Sequence, residues 1–164
     1  VAYLLDSNVF ISAKNLHYGF DFCPGFWEWL EQASAVGIVH SVEAVYNELV
    51  GGDDDLAIWA KDHRSFFLPL TSEEIPSVAA VNRWSNDSPD YDPAAKSEFA
   101  AVADSFLIAH AMAGDHTVVT HERISDSRRK IKIPNAAIAN GVSVTSPFEM
   151  LRIEGARFVL SGSS

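Results

Sequence analysis

The residues most able to do chemistry are carboxylates in apolar settings. Asp6 closes the short apolar run Tyr3-Leu4-Leu5 and precedes Val9-Phe10-Ile11. A carboxylate at the carboxyl end of a buried strand can face the cleft above a sheet, and it is equally suited to capping the next helix. Asp104 lies within Ala100-Ala101-Val102-Ala103-Asp104-Ser105-Phe106-Leu107-Ile108-Ala109. A helix that is apolar all round is buried, and a buried carboxylate costs several kcal/mol unless it is paired, protonated or bound to a metal. Capping a second helix after a break near Val102 is the other reading of Asp104, and the two roles are compatible. Glu48 flanks the apolar positions Val42, Val45 and Leu49, and Glu43 flanks them on the other side. Periodicity does not choose between them, although Glu43 has an ordinary role in the first turn, facing the helix dipole. Glu122 follows the apolar run Thr117-Val118-Val119-Thr120 by two positions, with Asp126 as its nearby rival. Asn8 adds an amide that can hold a water, a phosphate or Asp6 itself, and Thr120 a hydroxyl that can orient a water or a phosphate oxygen; the plain alternatives are a turn and a strand end.

Several acids converging on one place repel each other unless cations neutralise them. Hard oxygen donors without His or Cys favour Mg²⁺ or Mn²⁺ over zinc. Such an ion can acidify a water and stabilise charge building on a phosphate. Arg123, Arg128, Arg129, Lys130 and Lys132 fall within ten positions beside Glu122 and are suited to a phosphate backbone, or to a plain solvated loop. Other chemistries lack their residues. There is no Gly-rich phosphate loop, no G-x-S-x-G and no zinc-ligand spacing among the six histidines.

The elements that must position these acids follow from the pattern. Short apolar strands are expected at Tyr3–Leu5, Ile38–His40, Phe66–Leu68, Thr117–Thr120 and Val142–Val144. Helices are expected from Asp6 or Ser7 through Ala13 to near Asn15, from Pro24 to near Gly37, from Val42 to Val50 behind a Ser41 cap, around Leu56–His63, and from about Glu73 to Trp84. A long Ala-rich stretch, one helix or two, runs from Asp92-Pro93 to Ala113, and one helical turn follows Pro147. Strands alternating with helices indicate an α/β domain with a mostly parallel sheet, whose chemistry gathers at the carboxyl ends of the strands.

The 164 residues, 48% of them hydrophobic, suit one domain spanning 1–164 that buries roughly two thirds of its unfolded surface. A lone cysteine, Cys23, fits a reducing compartment and excludes a disulfide scaffold. No apolar run reaches membrane-spanning length. The start, Val1 to Asp6, has no positive segment for a signal peptide, and the missing initiator Met fits a processed or trimmed beginning. The net charge of −10 argues against bulk attraction to nucleic acid, but its distribution is uneven. Residues 1–120 sum to −13 and residues 121–164 to +3.

With these residues in place, the chain resembles the PIN-domain ribonucleases, and among them the VapC-like toxins of prokaryotic toxin–antitoxin systems. The resemblance rests on Tyr3-Leu4-Leu5-Asp6-Ser7-Asn8-Val9-Phe10-Ile11, Val45-Tyr46-Asn47-Glu48-Leu49, Ala103-Asp104-Ser105-Phe106-Leu107-Ile108-Ala109 and Val118-Val119-Thr120-His121-Glu122, which occur in the family's order. The opening segment and Lys130-Ile131-Lys132-Ile133-Pro134 look like a lesser-known branch of PIN-like proteins. The resemblance implies a three-layer α/β/α sandwich with a mostly parallel central sheet and an acidic pocket for Mg²⁺ or Mn²⁺. It implies cleavage of RNA phosphodiester bonds in the cytoplasm, homodimerisation and a cognate antitoxin. Asp6, Glu48 and Asp104 match the core acids, and Asn8 and Thr120 the polar helpers. Glu122 stands where the family usually has Asp. Tyr18, Phe20, Phe22, Phe26, Trp27 and Trp29 crowd one segment that suits either a partner interface or a core. The alternative from another class is a catalytically inert PIN-like module that binds RNA or protein. A phosphatase or phosphoacceptor domain ranks below both, because no D-x-D or D-D pair adjoins Asp6 and no strand-end Lys is present.

Overall fold

The computed structural model describes residues 1–160; the last four positions of the expected domain lie outside the described residues. Five strands form one parallel sheet: β1 (Tyr3–Leu5), β2 (Val39–Val42), β3 (Phe67–Leu68), β4 (Thr117–Val119) and β5 (Ser143–Thr145). Their order is β3-β2-β1-β4-β5, with Tyr3 beside both Val39 and Thr117. Helices on both faces complete a three-layer α/β/α sandwich, as expected. The central strands are mostly apolar because both faces are covered: Leu4, Leu5, Val39, Val42, Val118 and Val119 are fully buried.

Among the described residues the helices are α1 (Ser7–Ser12), α2 (Pro24–Ala35), α3 (Glu43–Val50), α4 (Asp55–Asp62), α5 (Ile75–Asp87), α6 (Pro93–Ala101), α7 (Ala103–Gly114), α8 (Ile133–Ala139) and α9 (Pro147–Ile153). A five-residue π-helical segment, Ala13–His17, continues α1 past the expected helix end near Asn15. The long Ala-rich stretch is two helices, broken at Val102, whose extended backbone ends α6 and opens α7. Helix α7 is the apolar-all-round helix anticipated around Asp104. It packs against α3, α5, α6 and α8 as well as β2 and β4.

Two local expectations fail for physical reasons. Ser41 is a residue of β2, not a helix cap; its hydroxyl donates to the Leu5 carbonyl (2.6 Å) and ties β2 to β1. Helix α8 was not foreseen in the stretch after the basic run, although Pro134 in its first turn carries the same signal as Pro24 and Pro93. The aromatic segment is mainly core. Tyr18 stacks on Phe26 at 4.3 Å and Phe20 on Trp27 at 4.1 Å, while Phe22 is exposed.

Candidate functional site

The strand order places a topological switch between β1 and β4: the chain steps outward from β1 to β3, then returns to β4 on the other side. In open parallel sheets ligands bind at the carboxyl ends on either side of such a point. Asp6 follows β1, and Thr120 with Glu122 follows β4, so the sheet itself brings these residues together.

Asp6 is 3% exposed, and its carboxylate does two jobs. It accepts from the Asn8 backbone N–H (3.4 Å), capping α1, and from the Thr120 hydroxyl (3.0 Å). Thr120 in turn accepts from the Glu122 backbone N–H (3.1 Å), so one hydroxyl joins β4 and the following loop to the acid on β1. The Thr120 hydroxyl thus holds Asp6, a contact between residues 114 positions apart that the sequence does not announce.

Glu48 belongs to the site and Glu43 does not. One Glu48 oxygen accepts from the Ser7 hydroxyl (2.6 Å) and the other from the Ala103 backbone N–H (3.1 Å). Glu48 therefore serves as a remote cap for α7, satisfying an N–H that Val102 has no side chain to satisfy. Glu43 turns to the Leu70 N–H (3.2 Å) and lies 3.6 Å from Arg64. Asp104 sits in the first turn of α7 and does not supply its cap; the break near Val102 is real, but Glu48 fills that role. Glu122 accepts from the Ile133 backbone N–H (2.8 Å) at the start of α8, whereas Asp126 lines a separate surface hollow with Asp90 and Tyr91.

Asp6, Asn8, Glu48, Asp104 and Glu122 line one cavity of about 190 Å³, closed on other sides by Ile11, Phe99, Ile131 and the Lys130 stem. Residues separated by more than a hundred positions thus meet in one place. Their charges are not balanced. Burial, reinforced by the charges of Glu122 and Glu48, pushes the Asp6 carboxyl up to about 6 despite the Thr120 hydrogen bond. Burial first, then the charges of Asp6, Glu122 and Glu48, push Asp104 up to about 7, with Lys130 pulling the other way. Among the described residues neither Asp6 nor Asp104 forms a salt bridge; the cation bridged within this pocket is Lys130, whose Nζ lies 4.0 Å from Glu122.

A metal ion has partial provision here. Asp6 and Asp104 are oxygen donors with surplus negative charge, the chemistry a hard divalent cation prefers. Three of the four acids already accept hydrogen bonds: Asp6 from the Asn8 N–H and the Thr120 hydroxyl, Glu48 from the Ser7 hydroxyl and the Ala103 N–H, and Glu122 from the Ile133 N–H. Among the described residues no group of three or more His, Cys, Asp or Glu side chains is placed as a ready-made metal cage. The donor set fits an ion held through one or two carboxylates with water for the rest, which is how Mg²⁺ is commonly bound.

The basic run does not act as one patch. Lys130 reaches the acid cavity, Arg123 lines a neighbouring cavity, Arg129 is exposed, and the Arg128 guanidinium donates to the Pro89 carbonyl (2.8 Å). Sequence reasoning missed Ser7, whose position beside Asp6 was its only signal, and the aromatic side chains that line the neighbouring cavity.

No curated protein and no solved structure matches the chain. One family does, under the description "Domain of unknown function (DUF4411)", and the match runs over residues 3–158. Because that span includes all four acids and nearly all of the chain, the protein belongs to the DUF4411 family.

Proposed function

We propose that the protein is a PIN-like, Mg²⁺- or Mn²⁺-dependent endoribonuclease, and that it serves as the toxin of a toxin–antitoxin pair. The observation that carries this reading is the cavity itself: four acids from separate elements, two of them raised by burial and mutual repulsion, at a topological switch point. Asp6 and Asp104 would hold the cation, with Glu48 and Glu122 completing the acidic lining through water. When bound, the ion supplies an acidified water and neutralises charge developing on the phosphate. The chain's own groups do the positioning. Thr120 fixes the Asp6 carboxylate, Ser7 and the Ala103 N–H fix Glu48, and the Ile133 N–H fixes Glu122. The Asn8 amide and the Lys130 ammonium face the same cavity and are suited to the non-bridging oxygens of a phosphodiester. A cytoplasmic place, a homodimeric state and a cognate antitoxin belong to the same proposal. No helix among the described residues is long and apolar enough to cross a membrane.

One observation favours a second reading, an inert module that binds RNA or protein. Three helix N-termini already engage these acids: α1 with Asp6, α7 with Glu48 and Asp104, and α8 with Glu122. Backbone N–H groups and helix dipoles can hold negative charge without a metal. The test is RNA cleavage with Mg²⁺ or Mn²⁺, with and without chelator, for the parent, Asp6→Ala and Asp104→Ala. Cleavage that needs the metal and disappears in both variants supports the nuclease. Equal cleavage by parent and variants removes the site assignment, and no Mn²⁺ binding near millimolar metal by calorimetry favours the inert module.

A further inference from the structure

A second cavity, of about 550 Å³, opens over the carboxyl ends of β4 and β5 and shares Glu122 with the acid pocket. Its character is different. Phe148 and His121 line it, with Ile124 and Arg123 at its rim. His17 packs against both rings, 5.2 Å from Phe148 and 5.5 Å from His121, and those two are 5.6 Å apart. Ile124 is 64% exposed and Phe148 is 37% exposed, so the apolar surface faces the opening. His17 ends the π-helical segment that follows α1, a rare geometry frequent at functional sites.

We infer that this cavity is a subsite for one unpaired nucleobase of the RNA strand, next to the phosphate held by the acid pocket. The inference rests on the nuclease reading for its substrate and names how that substrate is gripped. Three observations choose the occupant. The two cavities adjoin at Glu122, which lines both, so a strand with a phosphate beside the acids has its adjoining nucleotide beside the rings. The lining offers aromatic faces and edges, on which any base can stack without a sequence code. Arg123 at the rim meets the strand's charge where the acid pocket would repel it. A base within a duplex cannot enter, so the subsite selects single-stranded or looped RNA.

The test measures binding of a labelled ten-nucleotide single-stranded RNA by fluorescence anisotropy. It uses EDTA and an Asp104→Asn background, which removes one repelling carboxylate. Phe148→Ala and His121→Ala should each weaken binding roughly tenfold, the order expected for losing one stacked base. Phe148→Tyr and His121→Phe keep a ring and should bind like the background protein, which separates stacking from loss of fold. An abasic nucleotide is then walked along the strand. At one position it should cost the background protein the same factor, yet cost the Phe148→Ala protein nothing further. Additive losses at every position, no effect of Phe148→Ala, or no RNA binding at all overturn the subsite. RNA bound with this coupling but left uncut by the parent with Mn²⁺ overturns the nuclease reading and leaves the subsite standing. RNA cut by the parent without any position-specific abasic loss does the reverse.

Discussion

The acids of the central cavity raise the energy of the protein's own folded state. An aspartate whose carboxyl is raised on folding binds its proton more tightly in the folded than in the unfolded chain. Between the ordinary value near 3.8 and the raised value of about 7, the folded state therefore holds more protons at Asp104, and stability falls as pH rises through that window. Asp6 acts in the same direction up to about 6. Asp104→Asn removes the charge and keeps the shape. In chelator it should be more stable than the parent by about 2 kcal/mol at about pH 8. The two should converge toward pH 4, as followed by urea unfolding; a variant less stable than the parent at the higher pH would mean that Asp104 is compensated. Millimolar Mn²⁺ should raise the parent's melting temperature at about pH 8 and raise that of Asp104→Asn less, since ligand binding stabilises only the state that holds the site. Asp6 and Asp104 were legible in the sequence because their neighbours are apolar, and that context makes a charge conspicuous. Helical periodicity alone does not choose Glu48 over Glu43, although the helix dipole and the resemblance both lean to Glu48. Both flank the same helical face, and what separates them is a hydroxyl on Ser7 and a bare N–H on Ala103, each distant in the chain.

At the scale of elements, local chemistry announced most boundaries. Prolines in the first turn open α2, α5, α6, α8 and α9, and Asp6, Asp54 and Ser146 cap helices through their side chains. What local chemistry does not contain is a long-range partner. Ser41 has the composition of a cap, yet the Leu5 carbonyl claims its hydroxyl once β2 lies beside β1. The break at Val102 is tolerated because Glu48 reaches α7 from α3. The end of α7 shows the same dependence. Gly114 is its last residue, and a Cβ there would run into the His116 ring, which accepts from the Ala2 backbone N–H (2.9 Å). Asp115 then leaves the helix in the left-handed region. Gly114→Ala should therefore cost about 1–3 kcal/mol by overpacking, although alanine is the better helix former. Adding His116→Ala should recover part of that loss, because the ring is the obstacle. Thermal unfolding of the two single variants and the double variant measures this coupling, and strictly additive losses would place the strain elsewhere.

Across the whole molecule, the unequal charge distribution and the strand order act together. The acidic share of the chain, residues 1–120, supplies Asp6, Glu48 and Asp104, while the basic remainder supplies Lys130 and Arg123 beside the same strand ends. A polyanion approaching this face meets a few local cations on a body that otherwise repels it. The two contributions respond oppositely to salt. Releasing counterions from phosphates weakens binding as salt rises, whereas long-range repulsion from the acidic body fades over the same range. Of the five cations in the basic run, Arg128 is engaged with the Pro89 carbonyl, and Lys130 and Arg123 line the two cavities. Two to three phosphate contacts on a single strand give a slope of log affinity against log salt of about −1.4 to −2, and the fading repulsion makes it shallower still. Anisotropy titrations of single-stranded RNA from about 50 to 300 mM salt should return a slope between roughly −1 and −2. A slope steeper than about −5 would require more phosphate contacts than these cations can make and would move the RNA to another face.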